Sequence, residues 1–313
     1  MASYAGGPAA MVAQTTLVWA AVLASAFHPR TLNRRAALGA VCGHWLLTPL
    51  SSRALTPLCD QDVSLLTTGD KRIVLVGTAH ISEESAILVR QVIRSVQPDT
   101  VMVELDQRRA NTLMYKAKLR RIGELSSQTS PAEPQTRGAA FYRSLEEKGF
   151  PAGGEFVAAI EEARLLNATV LLGDQDINVT LRQLKEARAE VRRLRADGTL
   201  SREDARAAVR ALPSSMLKRE ETPTVEGMTQ LTSDLKQRDN ARAVVAYLKQ
   251  AAPPVYEAMI GERDRYMAHA LEVAPGDTVV GVVGLAHVEG IERILGEEVL
   301  ARPRSCEVAI ADE

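Results

Sequence analysis

Several residue types and motifs are scarce in this 313-residue sequence, and each scarcity excludes a class of protein. Aromatic residues make up 4% of the chain and the formal net charge is −1, so a nucleic-acid-binding surface is not indicated. The three cysteines form no C-x-x-C pair, which argues against a zinc knuckle or a disulfide framework. No H-E-x-x-H, G-x-S-x-G, P-loop or G-x-G-x-x-G motif is present. What remains, 46% hydrophobic and 25% charged residues, is typical of a globular domain.

The first 59 residues lack Asp, Glu and Lys altogether, and their only charged side chains are four arginines. A leader without acidic residues is typical of targeting sequence, so we assign residues 1–54 to a leader and 55–313 to the folded domain. ASAF (24–27) resembles the cleavage motif of bipartite plastid leaders in algae with complex plastids, and RRAALGA (34–40) resembles a twin-arginine thylakoid signal. We therefore expect import into a plastid, with the thylakoid lumen as one destination. The alternatives are a mitochondrial leader, or a membrane anchor formed by the uncharged residues 9–27, which would make the leader the only part in contact with a membrane.

The domain shows alternating strand and helix patterns. Short apolar runs predict strands at 71–76, 100–105, 168–174, 277–287 and 306–310. Helical periodicity predicts helices at 81–96, 153–166, 234–250 and 255–272, with Ser82 capping the first. A strand, a helix and a strand within about 30 residues imply a parallel βαβ unit. The prediction is an α/β fold with a central, mostly parallel sheet, flanking helices and a helical insertion at about 182–250.

Two G-x-x-H motifs end the first and fourth predicted strands. IVLVGTAH (73–80) places Gly77 three residues before His80, and VVGVVGLAH (279–287) places Gly284 three residues before His287. Because ligand sites in open α/β sheets form outside the carboxyl ends of parallel strands, both histidines are predicted at that edge. The missing glycine side chain permits a tight turn before each histidine.

Acidic residues extend this pattern. Glu104 ends the second strand and Asp174 the third, while Glu155 and Glu162 lie seven residues apart on one face of a helix. Imidazole nitrogen and carboxylate oxygen together suit zinc, manganese or iron, so the cluster predicts a divalent-metal site. Two alternatives stay open: each histidine is an ordinary side chain at a strand end, and the two helix glutamates are solvated charges.

Six successive blocks of the sequence resemble those of the TraB/PrgY family, which is related to the Tiki proteins. The blocks are GTAHISEESA, PDTVMVELDQRR, GGEFVAAIEEA, LLGDQDINVTLRQ, ERDRYMAHAL and VVGVVGLAHVEGI, and they cover about residues 70–296. The family has paired G-x-x-H motifs, and its Tiki members are described as metal-dependent proteases. Members of the PrgY type are linked to blocking a peptide pheromone, and organellar members to membrane contacts and mitochondrial form.

Carried over by position, the resemblance implies a set of site residues. The matching positions are His80, Glu104, Glu155, Glu162, Asp174, Glu262, Arg263, Asp264 and His287. The two histidines, with one or two acids, would hold Mn, Co or Zn. Glu104 would accept a proton from a bound water, and Arg263 would stabilise an oxyanion or bind a peptide carboxylate. The implied protein is a metal-dependent hydrolase of peptides; the alternative is a non-catalytic peptide-binding or membrane-contact module.

The chain departs from the family at Gln175, where an arginine is common. That change is expected to leave one cationic partner fewer for Asp174 or for a substrate carboxylate, and so to weaken peptidase activity. If the two G-x-x-H motifs form one site, strands 73–76 and 279–283 must be parallel and adjacent or separated by one strand. His80, Glu104 and His287 would then face one pocket, and the helix that carries Glu155 would close its side.

Overall fold

The structure of the protein, a computed structural model, describes residues 56–122 (except 81), 153–212 (except 211) and 230–299 (except 231, 232 and 297). Its central sheet has six strands in the order β4-β3-β5-β2-β1-β6. The strands are β1 (Val63–Thr68), β2 (Lys71–Thr78), β3 (Thr100–Val103), β4 (Thr169–Leu172), β5 (Thr278–Gly284) and β6 (Glu298–Val299). Strands β4, β3, β5 and β2 are parallel, while β1 and β6 add antiparallel strands at one edge. The predicted mixed α/β fold with a mostly parallel sheet is confirmed.

Helices flank this sheet and form a separate group beside it. They are α1 (Glu83–Val96), α2 (Gln107–Arg121), α3 (Gly154–Leu165), α4 (Ile177–Ala196), α5 (Arg202–Val209), α6 (Arg238–Ala251), α7 (Pro253–Tyr256), α8 (Glu262–Val273) and α9 (Leu285–Leu295). A π-helical turn, Glu257–Gly261, joins α7 to α8. Between β4 and β5 the described residues form helices alone, in agreement with the helical insertion that the sequence predicts.

The sheet is buried on both faces because side chains alternate along each strand. On β2, Val74 and Val76 pack against the face covered by α1 and α3, together with Val89 and Ile160. Ile73 and Leu75 point the other way, into the apolar layer that α8 and α9 contribute. A third apolar cluster joins α4, α5, α6 and α7. These layers fix the carboxyl edge of the parallel strands, where the site forms.

Helix α1 begins where the sequence predicts. The Ser82 hydroxyl accepts a hydrogen bond of 3.3 Å from the backbone N–H of Ser85, and Glu83 and Glu84 lie in the first turn, where the helix dipole favours negative charge. The helix ends at Val96, followed by Gln97 in the left-handed conformation. This helix leads the chain from β2 to β3 and so completes the predicted βαβ unit.

Several sequence predictions differ from the structure. The predicted strand 277–287 ends at Gly284, and His287 lies in the first turn of α9. Strand β1 and the short β6 were not predicted, and Cys59 is disulfide-bonded although the cysteine spacing indicated no disulfide framework. The leader and the predicted strand 306–310 lie outside the described residues. None of the described helices is long and apolar enough to cross a bilayer.

Candidate functional site at the carboxyl edge of the sheet

The strands that carry the two G-x-x-H motifs are direct neighbours. Strands β2 and β5 pair in parallel, with Gly77 opposite Val283 and Thr78 opposite Gly284. The prediction that strands 73–76 and 279–283 are parallel and either adjacent or separated by one strand is therefore confirmed. Because β3 pairs with the other side of β5, Glu104 reaches the same edge just after β3 ends. The topology thus brings together residues that are more than 200 positions apart in the sequence.

The two motif glycines allow close approach between segments. Neither has a positive φ, so neither position depends on the left-handed conformation that glycine permits. A Cβ built on Gly284 would lie 2.7 Å from His80 Nε2 and 3.3 Å from Glu104 Oε2. A Cβ on Gly77 would lie 2.6 Å from Leu285 Cδ2, where α9 packs against the sheet. Gly284 thus admits His80 to the site, and Gly77 admits the helix that carries His287.

His80 has one ring nitrogen held by a carboxylate and the other without a partner. Its Nδ1 lies 2.8 Å from Glu155 Oε1, on α3. Its Nε2 is buried, makes no hydrogen bond with the described residues and lies 3.9 Å from Glu104 Oε2. The Phe156 ring lies beside the imidazole, with 5.2 Å between ring centroids. Helix α3 therefore closes this side of the site through Glu155 and Phe156, as the sequence predicted for the helix.

His287 is held in a matching way from the other side. Its Nδ1 lies 2.6 Å from Asp264 Oδ1, on α8, and its Nε2 lies 3.4 Å from Glu104 Oε1. Each imidazole is thus oriented by a helix carboxylate and turns its other nitrogen towards a different oxygen of Glu104. Glu104 Oε2 also accepts a hydrogen bond of 2.7 Å from the backbone N–H of Gly284. One carboxylate consequently lies between the two motif histidines.

Arg263 fills the space beside Glu104 and His287. Its Nη2 donates to Glu104 Oε1 and, over 2.6 Å, to Asp174 Oδ2. Its Nη1 lies 3.0 Å from His287 Nε2 and donates to the carbonyl oxygen of Met259, also at 3.0 Å. The side chain is 4% exposed, so the guanidinium is a buried cation that carboxylates compensate. We call His80, Glu104, Asp174, Arg263 and His287 the central cluster.

A second buried arginine, which the sequence did not single out, supports the central cluster from α2. Arg109 Nη2 donates to Asp174 Oδ2 at 2.5 Å, and its Nε donates to Asp106 Oδ2 at 2.7 Å. Asp106 caps α2 by accepting from the backbone N–H of Arg109, and it also accepts from the N–H of Ile177 at the start of α4. An Asp three residues before an Arg at a helix start, directly after a strand, is the pattern that would have indicated this pair.

The charges of the central cluster shift its pKa values in opposite directions. Burial alone raises the pKa of Glu104, but His287 and Arg263 hold it well below its usual range. Burial lowers the pKa of His287, and the carboxylates of Glu104 and Asp264 outweigh burial and raise it to about 9. Burial likewise opposes the rise in the pKa of His80 that the hydrogen bond to Glu155 produces. Glu104 is therefore ionised at neutral pH and is a weak proton acceptor.

Two of the candidate acids lie away from the central cluster. Glu162 projects from the far end of α3 and binds Arg94 through two hydrogen bonds of 2.7 Å and Arg90 through one of 3.1 Å. Glu262 binds Gln183 on α4 instead of facing the histidines. Seven residues along a helix place Glu162 on the same face as Glu155, but two turns separate them, which is too far for one site. The structure brings together His80, Glu104, Glu155, Asp174, Arg263, Asp264 and His287.

Gln175 does not leave Asp174 short of cations. Asp174 receives hydrogen bonds from both Arg263 and Arg109, and these charges outweigh burial and hold its pKa below the usual range. The Gln175 side chain points to α4, where its Nε2 donates to Thr180 and Gln183. Asp174 thus has two cationic partners in a chain that carries glutamine at position 175.

The cluster fits a divalent metal only in part. Both histidines have the carboxylate-bound Nδ1 that is usual for metal-ligating imidazoles, and the buried His80 Nε2 is free. The 3.9 Å between His80 Nε2 and Glu104 Oε2 is a separation that two metal–ligand bonds of about 2.0–2.2 Å can span. However, no group of three or more His, Cys, Asp or Glu side chains in the described ranges converges on one point. The guanidinium of Arg263 lies where a metal ion bound to both His287 and Glu104 would have to lie.

The fold and this edge define an α/β protein whose paired strand-end histidines flank one buried carboxylate. Residues 63–298 match the TraB/PrgY/gumN family, and the chain belongs to that family. It is 30% identical over 229 residues to an uncharacterized protein of Methanocaldococcus jannaschii, and this alignment covers 71% of this chain and 53% of that protein. It is 28% identical over 276 residues to the human TraB domain-containing protein, and that alignment covers 78% of this chain and 66% of the human protein. The chain thus spans between half and two thirds of the length of these relatives.

Proposed function

We propose that this protein is a hydrolase of peptides that depends on a divalent metal and has its reaction centre at His80. The observation that carries the proposal is the His80 ring itself. Its Nδ1 is fixed by Glu155, while its Nε2 is buried, has no partner among the described residues and faces an ionised carboxylate. An unsatisfied polar atom in a protein interior is costly, so a retained one indicates a ligand or a reacting group.

His80 and Glu104 are the residues that would hold Mn, Co or Zn, with His287 as the third ligand. The metal would supply Lewis acidity and a more acidic bound water. Glu104, with its low pKa, would remain an anion at neutral pH and serve as a ligand. Glu155 and Asp264 would keep each Nδ1 protonated, so that Nε2 is the nitrogen left for a metal. Because the pKa of His287 is raised to about 9, metal binding at its Nε2 would release a proton at neutral pH.

His80 Nε2 would be a metal ligand, so it would not also accept a proton while the metal is bound. The hydrogen bond from Nδ1 to Glu155 fixes the tautomer in which Nε2 carries the lone pair, and this arrangement suits a metal ligand. The surrounding Phe156 ring and the buried strand ends exclude bulk water. A peptide as the substrate rests on the family resemblance.

Turnover with a peptide library tests the proposal. We expect the purified chain with added Mn, Co or Zn to release cleavage products, identified by mass spectrometry. His80→Gln should reduce the rate at least about 100-fold, because the variant lacks a proposed metal ligand and even the groups around such ligands change affinity or activity 10- to 100-fold. His269→Gln is the matched control, because His269 is exposed on α8, where it faces Glu272. If His80→Gln and the unaltered chain cleave equally fast, His80 is not the reaction centre.

The alternative is a module that binds a peptide without cleaving it. The buried charges of the central cluster favour this alternative, because Glu104 and Asp174 already neutralise the positive charge of Arg263. Buried charge clusters of this kind also serve structural roles. Tight binding of library peptides without any product, at saturating metal, would support this alternative and contradict the hydrolase.

A further inference from the structure

We propose that Arg263 is a built-in competitor of the metal, so that metal binding requires its guanidinium to leave Glu104 and His287. The inference rests on the proposed function and adds a condition for loading the site. It concerns a residue for which the sequence predicted a different role, stabilisation of an oxyanion or binding of a peptide carboxylate. In the structure those donor groups are already engaged by the protein itself.

The contacts of Arg263 coincide with the atoms that a metal would need. Its Nη2 binds Glu104 Oε1, and its Nη1 lies 3.0 Å from His287 Nε2. His80 Nε2 faces the other oxygen of Glu104 and has no hydrogen-bond partner among the described residues. The arginine therefore blocks one half of the site and leaves the other half open.

Charge makes the two cations mutually exclusive. Glu104 and Asp174 compensate the single positive charge of Arg263, and Arg109 adds a second positive charge on Asp174. A divalent ion beside Glu104 would lie within a few ångströms of the guanidinium, where like charges in a low-dielectric interior repel strongly. The shared ligand atoms and the charges therefore both indicate that the site holds either the Arg263 guanidinium or the metal ion, and not both at once.

The structure also shows how Arg263 is held in the inward position. The carbonyl oxygen of Met259 lies in the π-helical turn before α8 and accepts from Nη1 at 3.0 Å. Arg263 Nε contacts Asp174 at 3.1 and 3.2 Å. π-Helical turns are frequently found at functional sites, and this one lies directly before the helix that carries Arg263. The Nε contacts allow Arg263 to stay bound to Asp174 when its Nη atoms leave Glu104.

The affinity for Mn²⁺, measured by calorimetry on the full chain, tests the inference. Arg263→Gln should bind Mn²⁺ about 10- to 100-fold more tightly than the unaltered chain, the range by which groups around a metal site change affinity. Arg109→Gln is the matched control. It also removes a buried arginine from Asp174, but one that contacts neither Glu104 nor His287, so we expect no gain in affinity.

A second variant covers the case that Arg263→Gln fails to fold. Loss of Arg263 leaves Glu104 without an arginine partner and Asp174 with Arg109 alone, and the double variant Arg263→Gln, Asp174→Asn removes one of those negative charges as well. Tighter Mn²⁺ binding by either variant supports the inference. Equal binding by the variant and the unaltered chain overturns the inference alone and leaves the metal-dependent hydrolase standing. No Mn²⁺ binding by any of these chains overturns both.

Discussion

At the scale of the residue, the G-x-x-H motif is explained by what its glycines make room for. Gly284 lies where a side chain would meet His80 Nε2 and Glu104 Oε2, and Gly77 lies where one would meet Leu285. Each glycine therefore makes room for a side chain of the other motif segment: Gly284 for His80, and Gly77 for Leu285. This relation explains why the two motifs occur together on paired strands.

Gly284→Ala is a direct probe of that relation. The added methyl group would lie 2.7 Å from His80 Nε2, so the imidazole must move away from Glu104. We expect peptide hydrolysis to fall at least about 100-fold because misplacement by about 1 Å is that costly. Gly154→Ala, at the start of α3, adds a methyl group with nothing within 4 Å and should retain the activity. Equal activity of the two variants would show that His80 need not lie close to Glu104.

At the scale of the element, α1 and α3 are joined by an apolar contact and by ion pairs. Val89, Val92 and Ile93 of α1 pack in the same layer as Ala159 and Ile160 of α3. At the edge of this contact, Glu162 is 2% exposed and binds Arg90 and Arg94. Glu162 thus stabilises the packing of the helix that presents Glu155 to His80, although it does not take part in the site.

Glu162→Gln should make the protein less stable at neutral pH and unchanged in acid. The hydrogen bonds from Arg94 outweigh burial and hold the pKa of Glu162 below its ordinary value of 4.5. The carboxylate therefore stabilises the fold above about pH 4.5, and this contribution is lost as pH falls through the lowered pKa. Because both arginines are partly exposed, we expect a loss of about 0.5–1 kcal/mol at pH 7.

Urea unfolding at several pH values measures this effect. Glu186→Gln, an exposed position on α4, is the control and should unfold like the unaltered chain at every pH. A loss of stability in Glu162→Gln that persists at pH 3 would mean that packing, and not the ion pairs, is responsible.

At the scale of the whole molecule, a buried carboxyl group that the proposed site does not use is expected to limit stability at neutral pH. Asp62, just before β1, is 3% exposed, and its Oδ1 has no hydrogen-bond partner among the described residues. Burial, together with the charge of Asp60, raises the pKa of Asp62 to about 7, against the opposing charges of Lys236 and Arg238. The folded protein therefore binds a proton that the unfolded chain has already released above about pH 4.

The contribution of Asp62 should make the free energy of unfolding of the unaltered protein fall as pH rises from about 4 to about 7. Asp62→Asn removes this dependence, so its Tm should exceed that of the unaltered chain at pH 8 and approach it at pH 4. Thermal unfolding of both proteins across this range is the measurement. Asp70→Asn, in the exposed turn between β1 and β2, is the control. A lower Tm of Asp62→Asn at pH 8 would show that the ionised carboxylate stabilises the fold.

The proposed leader also concerns the whole molecule. We propose import into a plastid and removal of the leader between residues 27 and 55. Loss of all four leader arginines would leave 34 basic against 39 acidic side chains, a net charge of −5. Amino-terminal sequencing of the protein isolated from its cells should find a start within that interval, and an intact amino terminus on the mature protein would contradict processing.

How far the sequence predicted this molecule differs between the sheet and the site. Apolar runs and the two G-x-x-H motifs predicted the parallel strands, their adjacency and the edge at which His80, Glu104 and His287 meet. The partners of Arg263 and Arg109 were not predictable, because they depend on helices that return from distant parts of the chain. The same applies to Glu162, since helical periodicity defines a face but not which neighbouring helix that face meets.

The most direct test of the account is the position of a metal ion relative to His80. Crystals of the full chain, soaked with saturating Mn²⁺, would be measured at the manganese absorption edge. We predict an anomalous difference peak about 2.0–2.3 Å from His80 Nε2 and next to Glu104, with Arg263 turned away from Glu104. A chain that cleaves peptides in Mn²⁺ but shows no peak at His80, or shows its peak elsewhere, would contradict the account.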